Sequence, residues 1–257
     1  MPFYIAKCVN VVSFIGCRFA DLSEGNMLVT KSYRRERAVA YAAKYAFSQN
    51  PLFGNFAGFG GNCTNFVSQC IYAGSCKMNY TKTFGWYFIS LDERSPSWTG
   101  VEYFYNFMTT NGGVGPFGRQ ASADELEIGD VVQLAKADGD FYHTLIVVGF
   151  DGEEILIAAQ TNNAYAKPLS EYEYDIARFI KIEGVRFESV PDEDCYGAVL
   201  DGIAIIQGGG GRSLTEPMPQ PTPEAQPQPT PEAQPQPTPE AQPQPTTPSE
   251  QPAAPEA

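Results

Sequence analysis

The stretch from Gly60 to Gly74, GGNCTNFVSQCIYAG, joins a glycine turn to the beginning of a helix. Its large apolar residues recur at helical spacing and would share one face: Phe66, Val67, Cys70 and Ile71. Gly74 is the type of residue that ends a helix in a left-handed conformation. The stretch therefore predicts an amphipathic helix that begins at Cys63, directly after a tight turn, and ends at Gly74.

Two further helices are predicted on either side of this stretch. Residues Tyr33–Phe47, YRRERAVAYAAKYAF, place alanine and valine at helical spacing and gather their charges in the first turn. Asn50-Pro51 would stop that helix, and a loop rich in glycine and aromatic residues follows. Ser95–Met108, SPSWTGVEYFYNFM, predicts one aromatic-faced helix after a serine and a proline.

The second half of the chain changes its hydrophobic period from helix to strand. Asp151-Gly152 is a turn signal between two of these strands. Four short runs are rich in β-branched residues: Asp130–Leu134, His143–Phe150, Glu154–Ala159 and Arg178–Ile182. Helices followed by an antiparallel sheet predict an α+β domain.

The last 45 residues cannot bury a core. Residues 213–257 repeat the motif PEAQPQPT and lack lysine and arginine after Arg212. Such a composition predicts a disordered tail with extended polyproline II segments, acting as a semi-rigid spacer. A ligand for a proline-binding domain is the alternative. The predicted organisation is an N-terminal segment of uncertain structure (1–32), a catalytic domain (33–187), an extension (188–212) for which we expect a strand or packing segment, and the tail (213–257).

Charge and cysteine usage exclude several function classes. The net charge is −13, and the one dense basic cluster, Arg34, Arg35 and Arg37, is typical of a solvated helix face, so no nucleic-acid partner is expected. Six cysteines in a chain of 257 residues do not require a disulfide framework, and their spacing with a single histidine does not indicate a zinc site. We expect no metal and no cofactor.

The N-terminal segment carries a weak export signal. Residues 9–16, VNVVSFIG, form a short apolar run after a single lysine, and Asn10 and Ser13 interrupt it, which makes a poor secretory signal. A buried strand explains the run equally well. No stretch of the sequence reaches the length of a transmembrane helix.

Cys63 and His143 form the candidate catalytic pair. A cysteine attacks amides as the thiolate and needs a base to carry its proton to the leaving amine. Cys63 lies at a predicted helix start, where free backbone N–H groups and the helix dipole favour negative charge and could receive an oxyanion. His143 is the single histidine of the chain. Cys70 and Cys76 lack such a turn, and Cys70 is expected to face the core.

A third polar group should orient the base. If the strands on either side of Asp151-Gly152 form a hairpin, Gln160 would lie beside His143, whose imidazole is expected to face the helix that begins at Cys63. Gln160 is the candidate for the orienting group, with Asn162 behind it.

These motifs together resemble the putative amidase domain family over about Tyr33 to Arg186. The resemblance rests on YRRERAVAYAAKYAFSQNPLF, GGNCTNFVSQCIYAG, SPSWTGVEYFYNF, GDVVQL, YHTLIVV and AAQTNNAYAKPLSEY, in this order. The family is similar to papain-like and CHAP-type cysteine amidohydrolases of bacterial cell walls. The resemblance implies a papain-like fold with Cys63 as nucleophile and His143 as base. Two positions depart from the family's pattern, because Asn62 stands where aspartate is usual and Gln160 stands where histidine is usual.

The resemblance implies a cysteine amidohydrolase or peptidase that forms an acyl-enzyme. A peptide or peptidoglycan substrate, a secreted or wall-associated location and attachment to the wall through the tail are expected from it, with a cytoplasmic location left open. A monomer is expected. The alternatives are a catalytically decayed cell-surface binding module and an enzyme that transfers the acyl group to an amine. Four aromatic residues are candidates for a substrate cleft or for the core: Trp86, Tyr87, Trp98 and Tyr103.

Overall fold

The computed structural model describes residues 27–58, 60–188 and 194–203. The apolar run at 9–16 and the proline-rich tail at 213–257 lie outside the described residues. The helices are α1 (Arg35–Tyr45), α2 (Cys63–Ser75), α3 (Pro96–Thr99), α4 (Val101–Thr110) and α5 (Tyr196–Asp201). The strands are β1 (Val29–Lys31), β2 (Gly115–Ala121), β3 (Val131–Ala135), β4 (Phe141–Asp151), β5 (Glu154–Ala159), β6 (Ala164–Pro168) and β7 (Ile176–Phe187).

The strands form one seven-stranded antiparallel sheet. Its order is β1-β7-β3-β4-β5-β6, and β2 also pairs with β7. The predicted hairpin is confirmed, because Asp151 pairs with Glu154 across a turn that contains Gly152 at φ +62°. Helices that precede an antiparallel sheet confirm the α+β class. None of the helices in the described part of the chain is both long and apolar enough to cross a membrane.

The sheet buries apolar side chains on both faces. Along β4, Ile146 belongs to the larger core, which it shares with residues of the helices. Its neighbours Leu145 and Val147 belong to a second core on the opposite face, built from strands and the turns between them. Alternate residues of a strand point to opposite faces, so both sets of β4 residues are removed from water. Burial on both faces explains why the run His143–Phe150 is almost continuously apolar.

Helix α2 is the central helix of the domain, and all of its residues are buried. The prediction that Gly74 ends it is wrong. The helix continues to Ser75, and Cys76 takes the left-handed conformation at φ +50°. Gly74 instead allows α1 to approach, because a Cβ atom at this position would lie 2.4 Å from the Tyr33 ring. The glycine is needed for helix packing and not for helix termination.

The aromatic residues of the middle region belong mostly to the core. The helix predicted over Ser95–Met108 is divided at Gly100, whose extended backbone separates α3 from α4. Trp86 and Trp98 are fully buried and their rings lie 4.7 Å apart, so neither lines an open cleft. Tyr103 is exposed on α4.

The basic cluster on α1 is not simply a solvated face. Arg35 lies mostly buried and donates a 2.6 Å hydrogen bond to Asp130, whose side chain is fully buried. Its other guanidinium nitrogen donates to the carbonyl oxygen of Ile182 on β7. An ion pair supported by such hydrogen bonds costs little when formed, but breaking it leaves an unpaired buried charge. Arg35 therefore joins α1 to the sheet.

The extension after β7, for which a strand or a packing segment was expected, contains a helix that packs on the domain. Helix α5 packs on α1, where Tyr45 donates a hydrogen bond to the carbonyl oxygen of Leu200. A disulfide between Cys76 and Cys195 fastens the beginning of α5 to the end of α2 across a sequence separation of 119 residues. The sequence did not predict this pairing.

The disulfide should contribute measurably to stability, because it closes a long loop in the unfolded chain. We expect Cys195→Ser to lower the free energy of unfolding by about 2–4 kcal/mol. Urea denaturation of the variant and the wild type, each with and without reductant, measures this. Reductant should lower the free energy of unfolding of the wild type to that of the variant, and it should not change the free energy of unfolding of the variant. A wild type that is insensitive to reductant would contradict the pairing.

Candidate active site

The turn before α2 requires glycine. Gly60 and Gly61 have φ values of +99° and +113°, which side chains rarely allow. A Cβ atom on Gly61 would also lie 3.4 Å from the hydroxyl oxygen of Thr161. The two glycines therefore let the chain reverse closely against the turn after β5. Cys63 then becomes the first residue of α2, as predicted.

Asn62 supports this turn instead of capping the helix. Its side chain makes no capping hydrogen bond to α2. The Oδ1 atom accepts hydrogen bonds from the backbone N–H of Phe56 at 3.0 Å and from Asn65 Nδ2 at 2.8 Å. Helices leave their first N–H groups without partners inside the helix. The N–H groups of the first turn of α2 thus remain uncapped by Asn62.

The thiol of Cys63 is free and lies just below the surface. The residue is 7% exposed, and its Sγ atom lies 3.8 Å from the hydroxyl oxygen of Thr64. Cys70 is also free, but it is fully buried in the core, as predicted, and burial raises its pKa well above the usual value. Of these two free thiols, Cys63 is therefore the one suited to chemistry.

A buried hydrogen bond fixes α2 on β4. The hydroxyl groups of Thr64 and Thr144 are 2.9 Å apart. Gln133 on β3 donates to Thr144 at 3.1 Å and accepts from Arg178 Nε on β7 at 2.7 Å. This polar network continues from the helix start across three strands. An unpaired buried hydroxyl group destabilises the folded protein, and any shift of the helix would leave these hydroxyl groups unpaired. The network therefore fixes the position of the helix on the sheet.

His143 lies beside the start of α2. The hydrogen bond between Thr64 and Thr144 joins the residue after Cys63 to the residue after His143. The candidate nucleophile and the candidate base are therefore each one residue away from the same hydrogen bond. On the other side of Cys63, the contact comes from Thr161 in the turn after β5. The Thr161 hydroxyl accepts the backbone N–H of Asn62 at 2.6 Å. Both sequence neighbours of Cys63 are thus held by hydrogen bonds, Thr64 by the residue after His143 and Asn62 by the turn after β5.

The imidazole of His143 does not face α2, in contrast to the prediction. Strand alternation places its side chain on the face of Leu145, while Thr144 faces the helix. The ring stacks on that of Tyr142 at a centroid distance of 6.2 Å, and the ring of Tyr172 lies 6.0 Å away. No hydrogen bond between His143 and Cys63 occurs among residues 27–58, 60–188 and 194–203. Burial lowers the pKa of His143 to about 4.

Gln160 lies beside the nucleophile and not beside the base. Its Oε1 atom accepts a hydrogen bond from Asn62 Nδ2. Its Nε2 atom donates to the carbonyl oxygens of Tyr45 and Ser48 at 2.7 and 2.9 Å. Gln160 lies directly after β5, in the turn that contacts the end of α1 and the residue before α2.

The alternative orienting residue, Asn162, has φ +62° and lies in the exposed turn after β5. Neither Gln160 nor Asn162 makes a hydrogen bond to His143 within the described ranges. The position of Thr64 and Thr144 was missed by sequence reasoning. The one available signal was that a threonine directly follows each of the two candidate residues, Cys63 and His143.

Other sites of the described structure are distinct from this one. No group of three or more acidic, histidine or cysteine side chains in its residues could hold a metal ion. Two surface cavities lie near α1, one beside Arg34 and Arg37 and one beside Arg35 and Lys181. Neither cavity includes Cys63 or His143. With both side chains below 10% exposure, the candidate site is nearly closed.

Comparison with known proteins identifies relatives of the chain. The family described as "Putative amidase domain" matches residues 32–182, which is more than half of the chain. A protein of Bacillus subtilis (strain 168) named "Uncharacterized protein YhbB" is 35% identical over 164 residues. That alignment covers 62% of this chain and 51% of the relative, so the chain spans about half the length of that curated protein. No solved structure matches the chain.

The buried His143 should make stability depend on pH. Its pKa in the folded protein is about 4, below the ordinary value of 6.5, so the unfolded chain binds the proton more readily. This contribution is complete above pH 6.5 and is lost as the pH falls towards 4, by about 3 kcal/mol in all. We expect His143→Gln to lose less stability than the wild type between pH 7 and 4. Urea denaturation at several pH values measures the free energy of unfolding of both proteins. Equal losses of this free energy between pH 7 and 4 in the two proteins would contradict the prediction.

Proposed function

The chain belongs to the "Putative amidase domain" family, and we propose that it hydrolyses amide bonds through an acyl-enzyme on Cys63, with His143 as the general base. Membership of the family supports hydrolysis of an amide. The cysteine mechanism and a papain-like arrangement of the site are further parts of the proposal. Their support comes from a free thiol at the start of α2 and from the position of the single histidine on the adjacent strand.

The observation that carries the proposal is the pair of hydrogen bonds that flank Cys63. Thr64 binds Thr144, which follows His143 on β4, and Asn62 binds Thr161 in the turn after β5. A nucleophile and a base must be held within hydrogen-bond reach for proton transfer. The first hydrogen bond ties the helix start that carries Cys63 to the strand that carries His143. The second fixes the turn before Cys63.

The reaction would proceed in two steps. Cys63 Sγ transfers its proton to His143 and attacks the carbonyl carbon, and the carbonyl oxygen becomes an oxyanion that the uncapped N–H groups of α2 can bind. His143 then protonates the leaving amine as the C–N bond breaks. Water, deprotonated by His143, attacks the thioester and releases the acid together with the free thiol. No metal or cofactor is needed for these steps.

The burial of the site requires a structural rearrangement before catalysis, and it also lowers the pKa of the base. The imidazole and Cys63 share no hydrogen bond in the described structure, and the ring lies against Tyr142 and Tyr172, so the proposed proton transfer requires the start of β4 to rearrange and not only the side chain to rotate. Substrate entry requires the same region to open. The lowered pKa keeps His143 neutral at pH 7, and the neutral imidazole is the form that accepts a proton.

A peptide of the bacterial cell wall is the proposed substrate class. The family resemblance and the repetitive spacer sequence of the tail support it. The disulfide between Cys76 and Cys195 supports an oxidising compartment outside the cytosol, because such bonds are rare in reducing compartments. The exposed ring of Tyr142, which stacks on that of His143, offers a stacking surface for an extended chain.

A binding module with a decayed catalytic site is the second candidate. It is favoured by the engagement of Gln160, whose amide is bound to Asn62 and to two carbonyl oxygens and not to His143. Without an orienting partner the base would be less effective. Binding to peptidoglycan without release of new amino groups would support this candidate over the enzyme.

Hydrolysis of purified peptidoglycan and of defined wall peptides tests the proposal, with new amino groups as the readout. We expect Cys63→Ser to abolish the activity and His143→Ala to lower kcat about a hundredfold or more. Cys70→Ser is the matched control, because this second free thiol lies in the core and should not affect the chemical step. Full activity in folded Cys63→Ser protein would overturn the mechanism. Products with added amines separate hydrolysis from acyl transfer.

A further inference from the structure

We infer that Gln160 is a positioning residue for the nucleophile, acting through Asn62, and that the identities of these two residues are coupled. The inference rests on the proposed function, since it assigns how the reactive position of Cys63 is held. It gives Gln160 a role different from orienting the base.

The amide of Gln160 can adopt only one orientation. Its Nε2 group uses both hydrogens, on the carbonyl oxygens of Tyr45 and Ser48 at the end of α1. Rotating the amide by 180° would place Oε1 against these two carbonyl oxygens, which cannot donate. Because Gln160 is only 5% exposed, water does not readily replace the lost partners. The Oε1 atom must therefore point towards Asn62, and residue 62 must supply a donor.

The amide of Asn62 is fixed in the complementary sense. Its Oδ1 atom accepts two hydrogen bonds, from the backbone N–H of Phe56 and from Asn65 Nδ2. These donors leave Nδ2 as the group that faces Gln160 Oε1. Asn62 is 3% exposed. Each side chain thus determines the orientation of the other, and both are tied to backbone atoms of separate segments.

Aspartate at position 62 would be incompatible with Gln160. Its second carboxylate oxygen would face Oε1, so two acceptors would meet in a buried site. Neither side chain could rotate to relieve this contact, because Gln160 Nε2 is held by two carbonyl oxygens and the first oxygen at position 62 is held by two donors. Histidine at position 160 could relieve it, because a protonated imidazole donates from both nitrogens. Aspartate with histidine and asparagine with glutamine are therefore two compatible pairs at these positions, whereas aspartate with glutamine is not.

The neutral pair also affects the thiol. Asn62 directly precedes Cys63, and its backbone N–H is held by Thr161. The pair connects the turn before Cys63 to the end of α1 without placing a negative charge beside the sulfur. A carboxylate there would oppose formation of the thiolate. The position and the ionisation of the nucleophile therefore both depend on the partner at position 160.

Alkylation of Cys63 by iodoacetamide between pH 5 and 9, followed by peptide mass spectrometry, tests the inference. The proteins are the wild type, Asn62→Asp, Gln160→His and the double variant. We expect Asn62→Asp to slow alkylation at pH 7 about tenfold or more and to shift its pH profile upwards. Gln160→His should lower the rate less, since a neutral imidazole can accept from Asn62. The alkylation rate of Cys63 in the double variant should recover to within about threefold of the rate in Gln160→His.

Asn163→His combined with Asn62→Asp is the matched control. It adds an imidazole to the same exposed turn without contact to Asn62. Rescue by Gln160→His and none by Asn163→His supports the pairing. Equal rescue by both, or a reactivity of Asn62→Asp equal to that of the wild type, would overturn the inference.

Unfolding free energies of the same proteins separate positioning from stability. Coupling that appears in the unfolding free energy, with no coupling in the alkylation rate or its pH profile, would overturn the positioning role. A wild-type Cys63 that reacts no faster than a free thiol would count against the proposed function. The unfolding data would then still show whether residues 62 and 160 depend on each other.

Discussion

The hydrogen bond between Thr64 and Thr144 is the constraint on which the arrangement of this protein depends. It joins the first turn of the buried central helix to the strand that carries the single histidine. A helix packed only by apolar contacts could slide along the sheet with little change in buried area, whereas a buried hydroxyl pair is lost by a shift of one residue. Gln133 and Arg178 extend the same network to β7. The network thus determines which residues of α2 and β4 meet.

Where periodicity was strong, the sequence was sufficient to predict the elements. Helices α1 and α2 and the strands β3, β4, β5 and β7 carry clear apolar patterns, and all of them are present. The three strands that were missed have no such pattern. Strand β2, GPFGRQA, contains two glycines and a proline, and strand β6 ends in a proline, while β1 has three residues. Their conformation comes from pairing with neighbouring strands and not from local preference.

The candidate site could be predicted in part for a similar reason. Local chemistry was enough to single out Cys63 and His143, but the side of the sheet on which each residue lies depends on register. Gln160 was assigned to His143 from a hairpin that is indeed present, yet the strand pairing ends before Gln160, and its amide binds Asn62 and the end of α1. A shift of one residue moves a side chain to the other face. The pairing of Cys76 with Cys195 depends on tertiary packing, and no local signal could predict it.

The central claim, that Cys63 carries the acyl group, is tested most directly by trapping the intermediate. The protein is mixed with a wall peptide that it cleaves, quenched with acid within milliseconds to seconds, and the peptide containing Cys63 is analysed by mass spectrometry. The account predicts a mass increase equal to the acyl fragment, confined to Cys63, removed by hydroxylamine and larger when hydrolysis is slowed at low pH. Continued cleavage of the same substrate by Cys63→Ala protein, with no adduct on any cysteine, would contradict it.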